Sequence, residues 1–444
     1  MTEAEPGSAE RIGPVPVSAN GSQTEQFTSG YLMVALAILF MVNVVNYTDR
    51  MVLSVLIEPI KAEFTLSDTQ IGFLTGFAFA IFYAIAGVAL ARRADRTNRV
   101  RLISVLLVTW SAMTALTATA QNFWHLFAAR IGVGVGEAGV IPTSNAVISD
   151  YFPIDRRSGP LAIFTAGATV GITVGMAMGG WIGDHYGWRW AFIIAGAPGL
   201  LLAVLVRLIL REPPRGHSDG VIHEANQGSL LQFLASLARN RTYVFLVIGA
   251  CFSNFLLFGV TNWMPPYLVR RFGMSLTEVG AYFGAALGLG GAVGAVIGGF
   301  AANRLAKRDL NWLVWIPAGS MILMFPLYEM AVFAPTPAIA IWLVFAVNVI
   351  GGLAFGPVVA AILSVVRAEN RATGASVYGF AVSIIGIGAA PFVVGMFSDA
   401  LSPRFGSAIA LQYALALTIP FALGGAVSYW LATRTFKEAV AANG

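Results

Sequence analysis

The sequence predicts an all-α membrane protein with twelve transmembrane helices, arranged as two parallel six-helix pseudo-repeats. Three observations lead to this fold class. Hydrophobic residues make up 57% of the chain and charged residues only 11%, whereas about a quarter of a soluble domain is charged. Twelve apolar segments are long enough to cross a bilayer. The first half of the chain also resembles the second half at one fixed offset.

The twelve segments follow from the length that a membrane requires. A bilayer core of about 30 Å needs about 20 mostly apolar residues in a helix. Segments that meet this requirement lie at residues 31–60, 69–91, 102–121, 123–150, 159–183, 188–210, 241–269, 277–302, 311–333, 336–366, 372–398 and 406–433.

The basic residues indicate the orientation of these spans. Of the 27 Lys and Arg residues, 19 fall on the side of the N-terminus and five on the other side. Because cytoplasmic loops of membrane proteins are enriched in Lys and Arg, we expect both termini in the cytoplasm. This topology accounts for the net charge of +5, so we expect no nucleic-acid partner.

The second half of the chain repeats features of the first half 208 residues later. Asn46 recurs as Asn254 at this offset, and four residues of FTLSDTQIG recur in FGMSLTEVG: Phe64, Ser67, Thr69 and Gly72 as Phe272, Ser275, Thr277 and Gly280. Since one offset fits separate places, we predict two halves that rock about a site near the membrane midplane.

The repeat and the spans together divide the chain into parts. The linker contains SLLQFLASLARN, whose spacing predicts a short amphipathic helix on the cytoplasmic face. The first residues are polar and lack the apolar core of a signal peptide. The predicted parts are a disordered cytoplasmic tail at 1–28, a six-helix half at 29–212, a cytoplasmic linker at 213–240, a six-helix half at 241–435 and a cytoplasmic tail at 436–444.

Two spans carry charges that a bilayer disfavours. Asp49 and Arg50 lie in the first span, and Arg130 and Glu137 lie in the fourth. Arg130 and Glu137 are two turns apart and share one helix face. The fourth span is rich in glycine, which lets a neighbouring helix approach closely. If the first and fourth spans are neighbours, Asp49, Arg130 and Glu137 converge, with two carboxylates around one guanidinium.

This arrangement predicts proton coupling. Burial in a low-dielectric cavity favours the protonated form of a carboxyl group, and a nearby guanidinium favours the ionised form. When the guanidinium moves away, the carboxylate takes up a proton. We predict Asp49, Glu137 and Arg130 as the coupling residues, with protons as the coupling ion and no other cofactor. The alternative is an inert buried ion pair that only fixes helix register.

The second half offers aromatic and amide groups in place of charge. Such groups suit an acyl chain and one orienting contact, although most aromatic side chains in a membrane span serve only packing. The predicted substrate-binding residues, from both halves, are Arg130, Asn46, Tyr47, Arg50, Asn254, Phe255, Phe258, Asn262, Trp263 and Tyr378.

The loop after the second span resembles a family signature. LARRADRTNRVR, residues 90–101, is similar to the loop signature of the major facilitator superfamily, and FAANRLAKRD, residues 300–309, is its degenerate counterpart. The resemblance implies that Asp95, Arg96 and Arg99 form a cytoplasmic gate that joins the halves in the outward-facing state. The alternative is a solvated run of charge that only sets the topology.

Three segments resemble the Spinster family of that superfamily: NYTDR, ARIGVGVGEAG and the Asp-Arg-x-Asn-Arg pattern of the loop. The resemblance implies a carrier in a bacterial inner membrane that moves sphingolipids or lysophospholipids across the lipid bilayer by proton-coupled alternating access, and we expect it to be a monomer. It also implies that the acids Asp49 and Glu137 act in proton coupling and that Arg130 controls them or binds the head group. The alternatives are a proton-coupled carrier of small organic anions or drugs and a pH-independent facilitator.

Enzymatic chemistry finds no support in the sequence. GVGVGE lies inside an apolar span and lacks the strand, turn and helix of a nucleotide-binding loop. The motifs GxxxxGK[ST], GxSxG and HExxH are absent, and one cysteine, Cys251, allows no disulfide within the chain. We therefore expect a transporter and not an enzyme.

Overall fold

A computed structural model describes residues 27–94, 96–153, 155–214, 230–367 and 370–442. Within these ranges the chain forms helices and no strand, and twelve helical spans are long and apolar enough to cross a membrane, which confirms the predicted fold class. The spans are α1 (Ser29–Val55), α2 (Asp68–Ala94), α3 (Arg99–Thr117), α4 (Phe123–Tyr151), α5 (Ser158–Tyr186), α6 (Trp188–Ile209), α7 (Arg241–Phe272), α8 (Leu276–Ala306), α9 (Trp312–Val332), α10 (Pro337–Ser364), α11 (Thr373–Phe405) and α12 (Ser407–Thr433).

Three shorter helices flank these spans. The first predicted span ends early, because the chain leaves the helix at Leu56 and begins a separate helix, Ile57–Phe64. The helix Leu230–Arg239 lies within the segment SLLQFLASLARN, although most of the predicted linker and tail at 1–28 lies outside the described residues. The predicted tail at 436–444 begins with the helix Phe436–Ala441, whose Phe436 is fully buried.

The sequence repeat corresponds to a structural repeat at the start of α2 and α8. The Ser67 hydroxyl accepts from the backbone N of Gln70, and the Gln70 side chain accepts from the backbone N of Ser67. Ser275 and Glu278, each 208 residues further on, make the same reciprocal pair of bonds. Both helices therefore begin with a capping box, which satisfies two backbone N–H groups that would otherwise lack partners.

Four spans contain an interruption of the regular α-helix. Gly76 separates the helices Asp68–Thr75 and Phe77–Ala94 of α2, and α4 is broken between Glu137 and Val140. π-helical turns occupy Val279–Phe283 in α8 and Val382–Ala389 in α11. Such irregularities are frequent at functional sites, and the apolar pattern of the sequence does not reveal them.

The two halves pack against each other through α2 with α11, α5 with α8, and α1 with α7. Glycines permit the closest approaches. A Cβ on Gly72 would collide with the backbone oxygen of Pro391, and one on Gly180 would collide with that of Leu276. The halves therefore meet backbone to backbone, as helices in a membrane do where small residues face one another.

Hydrogen bonds and ion pairs close one end of the molecule. We call the end at which α1 begins and α12 ends the terminal side, and the other end the opposite side. On the opposite side, Arg270 of α7 pairs with Asp68 of α2 at 2.7 Å and with Glu58 at 2.7 Å. Lys61 also pairs with Asp68, and the Ser398 hydroxyl of α11 donates to it. These contacts join the N-terminal and C-terminal halves.

On the opposite side, two aspartates also cap helices of the half to which they do not belong. Asp399, near the end of α11, accepts from the backbone N of Asp68 at 3.0 Å and of Thr69 at 2.7 Å. Asp184, near the end of α5, accepts from the backbone N of Leu276 at 3.2 Å and of Thr277 at 2.6 Å. Each half thus caps a helix of the other half with a carboxylate, where the helix dipole favours negative charge.

Candidate functional site

The predicted charged residues meet between α1 and α4. Arg50 Nε donates to Glu137 Oε2 at 2.5 Å. Glu137 is fully buried and the Arg50 side chain is 11% exposed. The expectation of two carboxylates around the Arg130 guanidinium was therefore incomplete, because a second guanidinium, that of Arg50, makes the direct ion pair. The side chain of Arg50 is long enough to reach α4 from its own position on α1.

Asp49 faces a different neighbour. The Thr114 hydroxyl of α3 donates to Asp49 Oδ2, while Asp49 Oδ1 is buried without a hydrogen-bond partner. Asp49 and Thr114 are each 1% exposed. Successive residues of a helix point about 100° apart, so Asp49 reaches α3 while Arg50 reaches α4.

Aromatic rings surround the two guanidiniums. The Arg50 guanidinium carbon lies 4.9 Å from the centroid of the Phe79 ring, 5.1 Å from that of Tyr83 and 5.4 Å from that of Tyr47. The Arg130 guanidinium carbon lies 5.2 Å from the same Phe79 ring. One buried ring on α2 therefore contacts both cations, and cation–π attraction of this kind strengthens where water is excluded.

Arg130 is the least satisfied member of the group. Its Nε is buried without a hydrogen-bond partner, as is Glu137 Oε1. Asp49 and Glu137 both lie close enough to Arg130 to interact with it electrostatically. The structure thus brings Asp49, Arg130 and Glu137 together with Arg50 into one cluster, which we call the charge cluster. Their role in proton coupling stays a prediction.

The remaining predicted contacts of the N-terminal half adjoin the charge cluster. Asn46 is fully buried and lies beside the Glu137 carboxylate, outside hydrogen-bond geometry. Tyr47 is half-buried and packs with the Arg50 guanidinium.

The predicted contacts of the C-terminal half fall into two groups. Asn254, Phe258 and Tyr378 are half-buried, and Asn254 donates to the backbone oxygen of Ala250. Phe255, Asn262 and Trp263 are buried within the packing, so the structure brings none of these three to a surface. Phe255 packs edge-on against Phe421, Asn262 bonds to Ser54, and Trp263 Nε1 donates to the backbone oxygen of Pro391 at 2.8 Å.

The predicted cytoplasmic gate has one member, Asp95, outside the described residues. Arg96 lies in the turn before α3. The Arg99 side chain is buried, pairs with Asp150 and with Glu212 at 2.6 Å, and donates to the backbone oxygen of Pro213. These partners of Arg99 belong to the N-terminal half or to the start of the linker. A role for Arg99 in joining the halves stays a prediction for another conformation.

Sequence analysis missed Thr114, Phe79 and Tyr83, which carry no charge. A signal for Thr114 was present, since Ser111, Thr114 and Thr117 recur every third residue in an apolar helix and would share one polar face. All three are buried in the structure.

Comparisons with known proteins decide the family. The model of the Major Facilitator Superfamily matches residues 39–391. The chain belongs to this superfamily. A solved bacterial homologue of the human lysosomal transporter Spinster, in an inward-facing and unoccupied conformation, superimposes with a TM-score of 0.84 at 30% identity. That comparison covers 93% of this chain and 99% of the other, and it confirms the resemblance to Spinster transporters.

Two sequence relatives of this superfamily member differ in what their names describe. An MFS-type efflux pump of Mycolicibacterium smegmatis is 35% identical over 91% of this chain and 93% of its own length. The sphingosine-1-phosphate transporter SPNS2 of Danio rerio is 27% identical over 91% of this chain and 84% of its own length. The chain is thus a major facilitator transporter related to Spinster proteins.

Proposed function

We propose that this chain is a proton-coupled secondary transporter of an amphipathic anion of the lysophospholipid or sphingoid phosphate type. The observation that carries the proposal is the buried Arg50–Glu137 ion pair in a half of the molecule that also holds Asp49 and Arg130.

The ion pair links proton binding to anion binding. A carboxylate and a phosphate compete for the same guanidinium, and arginine binds both in the same forked geometry. A phosphate head group that engages Arg50 draws it away from Glu137. The buried carboxylate that is left without its cation then takes up a proton, because an unpaired buried charge is costly. Anion binding and proton binding therefore favour each other.

The C-terminal half suits the apolar part of such a substrate. Phe258 and Tyr378 are half-buried, and Asn254 adds one amide group beside them. Ligand sites commonly combine an apolar wall with a few polar groups that fix orientation. A head group at Arg50 and an acyl chain against these residues would span the space between the halves.

The transport cycle follows from the closed opposite side. Lys and Arg residues are more numerous on the terminal side than on the opposite side, which supports a cytoplasmic location of the terminal side. The contacts of Asp68, Arg270 and Asp399 on the opposite side would then close the extracellular end. Alternating access requires these contacts to break while the predicted gate of Arg96 and Arg99 forms.

The second candidate is a proton-coupled efflux carrier of drugs or small organic anions. The 35% identical efflux pump supports it. In this case Arg130 or Arg50 would bind a carboxylate, and the apolar wall would accept varied substrates.

Competition in proteoliposomes distinguishes the two candidates. Uptake of a labelled lysophospholipid is measured with an excess of an unlabelled sphingoid phosphate or of a short dicarboxylate. We expect the lipid to compete and the dicarboxylate to leave uptake unchanged. Phe258→Ala should weaken uptake, whereas Phe300→Ala, which removes a 76% exposed ring of α8, serves as the matched control. No saturable lipid uptake, or inhibition by the dicarboxylate, would favour the second candidate.

A further inference from the structure

We propose that Thr114 is the positioning residue of Asp49: its hydroxyl holds Oδ2, directs the transported proton to Oδ1, and so sets the pH at which the carrier works. This inference rests on the proposed proton coupling.

Thr114 donates to an ionisable side chain, whereas the hydroxyls of Thr48, Thr75, Thr117 and Thr143 donate to backbone oxygens. Threonine in an apolar helix usually donates to the backbone oxygen four residues earlier. Thr75, Thr117 and Thr143 all do so, bonding to Ile71, Met113 and Gly139. Thr114 instead donates across the helix interface to the Asp49 carboxylate of α1. The hydroxyl is thus committed to a titratable group and not to its own helix.

The two oxygens of Asp49 are consequently unequal. Oδ2 receives the Thr114 hydroxyl hydrogen, and Oδ1 is buried without a partner. A proton that arrives at Asp49 therefore binds Oδ1, while Thr114 continues to donate to Oδ2. On release the same proton leaves Oδ1, so the hydroxyl keeps its own hydrogen throughout and the carboxyl group keeps one orientation in both states.

Thr114 makes the side-chain hydrogen bond that the structure shows at the Asp49 carboxylate. The charged groups that face it are Arg50 of its own helix and Arg130 and Glu137 of α4. The neighbouring stretch of α5 packs Gly171 and Gly175 against α1, and these residues offer no side-chain donor. The Glu137 carboxylate repels a second negative charge on Asp49. A neutral hydrogen-bond donor such as a hydroxyl therefore helps to stabilise the ionised form of Asp49.

The contact predicts a shift in pH dependence. The Thr114 bond is roughly twice as strong to the carboxylate as to the protonated acid, and only this difference changes the proton affinity of Asp49, by several-fold to about tenfold. Since the bond favours the carboxylate, its loss lets Asp49 bind a proton at higher pH. Thr114→Val should therefore move the midpoint of the transport pH profile upward by up to about one unit.

The experiment compares four proteins in proteoliposomes across a range of pH: wild type, Thr114→Val, Thr114→Ser and Thr117→Val. The serine variant retains the hydroxyl and should keep the wild-type midpoint. Thr117→Val removes an equally buried hydroxyl from the same helix face, one that bonds only to its own helix, and should also keep it. An unmoved midpoint in Thr114→Val, or an equal shift in Thr117→Val, would overturn the proposal.

A second readout separates this inference from the proposed function. The melting temperature of the purified protein is followed against pH for wild type and Thr114→Val, each with and without Asp49→Asn. We expect Thr114→Val to displace the pH dependence only where Asp49 is present. If wild-type transport did not depend on pH, the proposed proton coupling would be wrong. The displacement in melting temperature would still support the role of Thr114. A displacement that persists in the Asp49→Asn background, or no displacement where Asp49 is intact, would overturn the inference.

If Thr114→Val does not yield folded protein, Thr114→Cys supplies the same test. Its thiol is similar in size and a weaker donor, so a smaller shift in the same direction is expected. A cysteine variant with the wild-type midpoint would then count against the proposal.

Discussion

Ser54 of α1 and Asn262 of α7 are hydrogen bonded across the two halves, with the Ser54 hydroxyl 3.2 Å from Asn262 Oδ1, and they are 208 residues apart. This separation is the offset of the sequence repeat. Equivalent positions of the two halves therefore touch, which places the pseudo-twofold axis of the molecule beside this pair.

The contact provides a test of motion between the halves. In a Cys251→Ser background, Ser54→Cys with Asn262→Cys should form a disulfide under mild oxidation. Because the proposed cycle separates the halves here when the opposite side opens, the cross-linked protein should transport at about a tenth of the reduced rate or less. The measurement is uptake before and after reduction.

A control pair lies within one half. The hydroxyls of Thr242 and Thr435 are 2.6 Å apart, and both residues belong to the C-terminal half. Cross-linked cysteines at these two positions should leave transport unchanged. Full transport by the cross-linked Ser54 and Asn262 pair would show that the halves do not separate at this point.

The Arg50–Glu137 pair should behave as a buried ion pair in stability measurements. Without Arg50, Glu137 either takes up a proton or stays as an unpaired buried charge, and the cost in stability is at most roughly 3 to 5 kcal/mol, whereas replacing both partners can be nearly neutral. We expect Arg50→Met to lower thermal stability strongly and Arg50→Met with Glu137→Gln to restore most of it. Thermal unfolding of the purified variants gives the comparison, and additive losses would argue against a direct pair.

The Arg189–Glu63 pair supplies an exposed counterpart outside the charge cluster. The hydrogen bonds from Arg189 and Trp188 hold the pKa of Glu63 below its usual value. The stability that this pair adds is therefore present at neutral pH and lost as the pH falls through that lowered pKa. Both side chains are about 40% exposed, so Glu63→Gln should cost less than about 1 kcal/mol at pH 7.

Asp184 and Asp399, which each cap a helix of the other half, should favour the conformation in which the opposite side is closed. Loss of a capping carboxylate costs about 1 kcal/mol, so each alanine substitution should shift the equilibrium about fivefold toward the open state. Distances between spin labels at Gln121 and Arg404 would report the shift. Asp309→Ala is the matched control, since Asp309 accepts from the backbone N of Asn311 within one half. Equal populations of the open state in all variants would show that these caps do not hold the opposite side closed.

Composition and the sequence repeat are sufficient to predict much of this architecture. Twelve spans, their approximate ends and the parallel halves follow from apolar length, and Ser54 with Asn262 shows that the 208-residue offset is structural. The spacing of Arg130 and Glu137 predicts that they share one face of α4, but their convergence with α1 follows only from the helix arrangement of the superfamily.

The partners within the site could not be predicted in the same way. Which of two arginines reaches Glu137 depends on how α1 is rotated against α4, and rotation is set by packing of residues such as Gly171 against Val44. The same reason hides Thr114 and Phe79, which are neutral residues. Trp263 is the opposite case, a residue that was predicted to bind substrate but lies within the packing. An aromatic residue in a membrane span serves packing more often than binding.

Uptake of a labelled lysophospholipid into proteoliposomes, with and without an imposed pH gradient, tests the central claim most directly. Wild type is compared with Glu137→Gln, which replaces the carboxyl group that we propose to bind the proton with an amide of nearly the same shape. The account predicts that the gradient changes the rate of uptake in wild type and leaves the variant unaffected. Equal uptake in both proteins, with or without the gradient, would contradict proton coupling through the charge cluster.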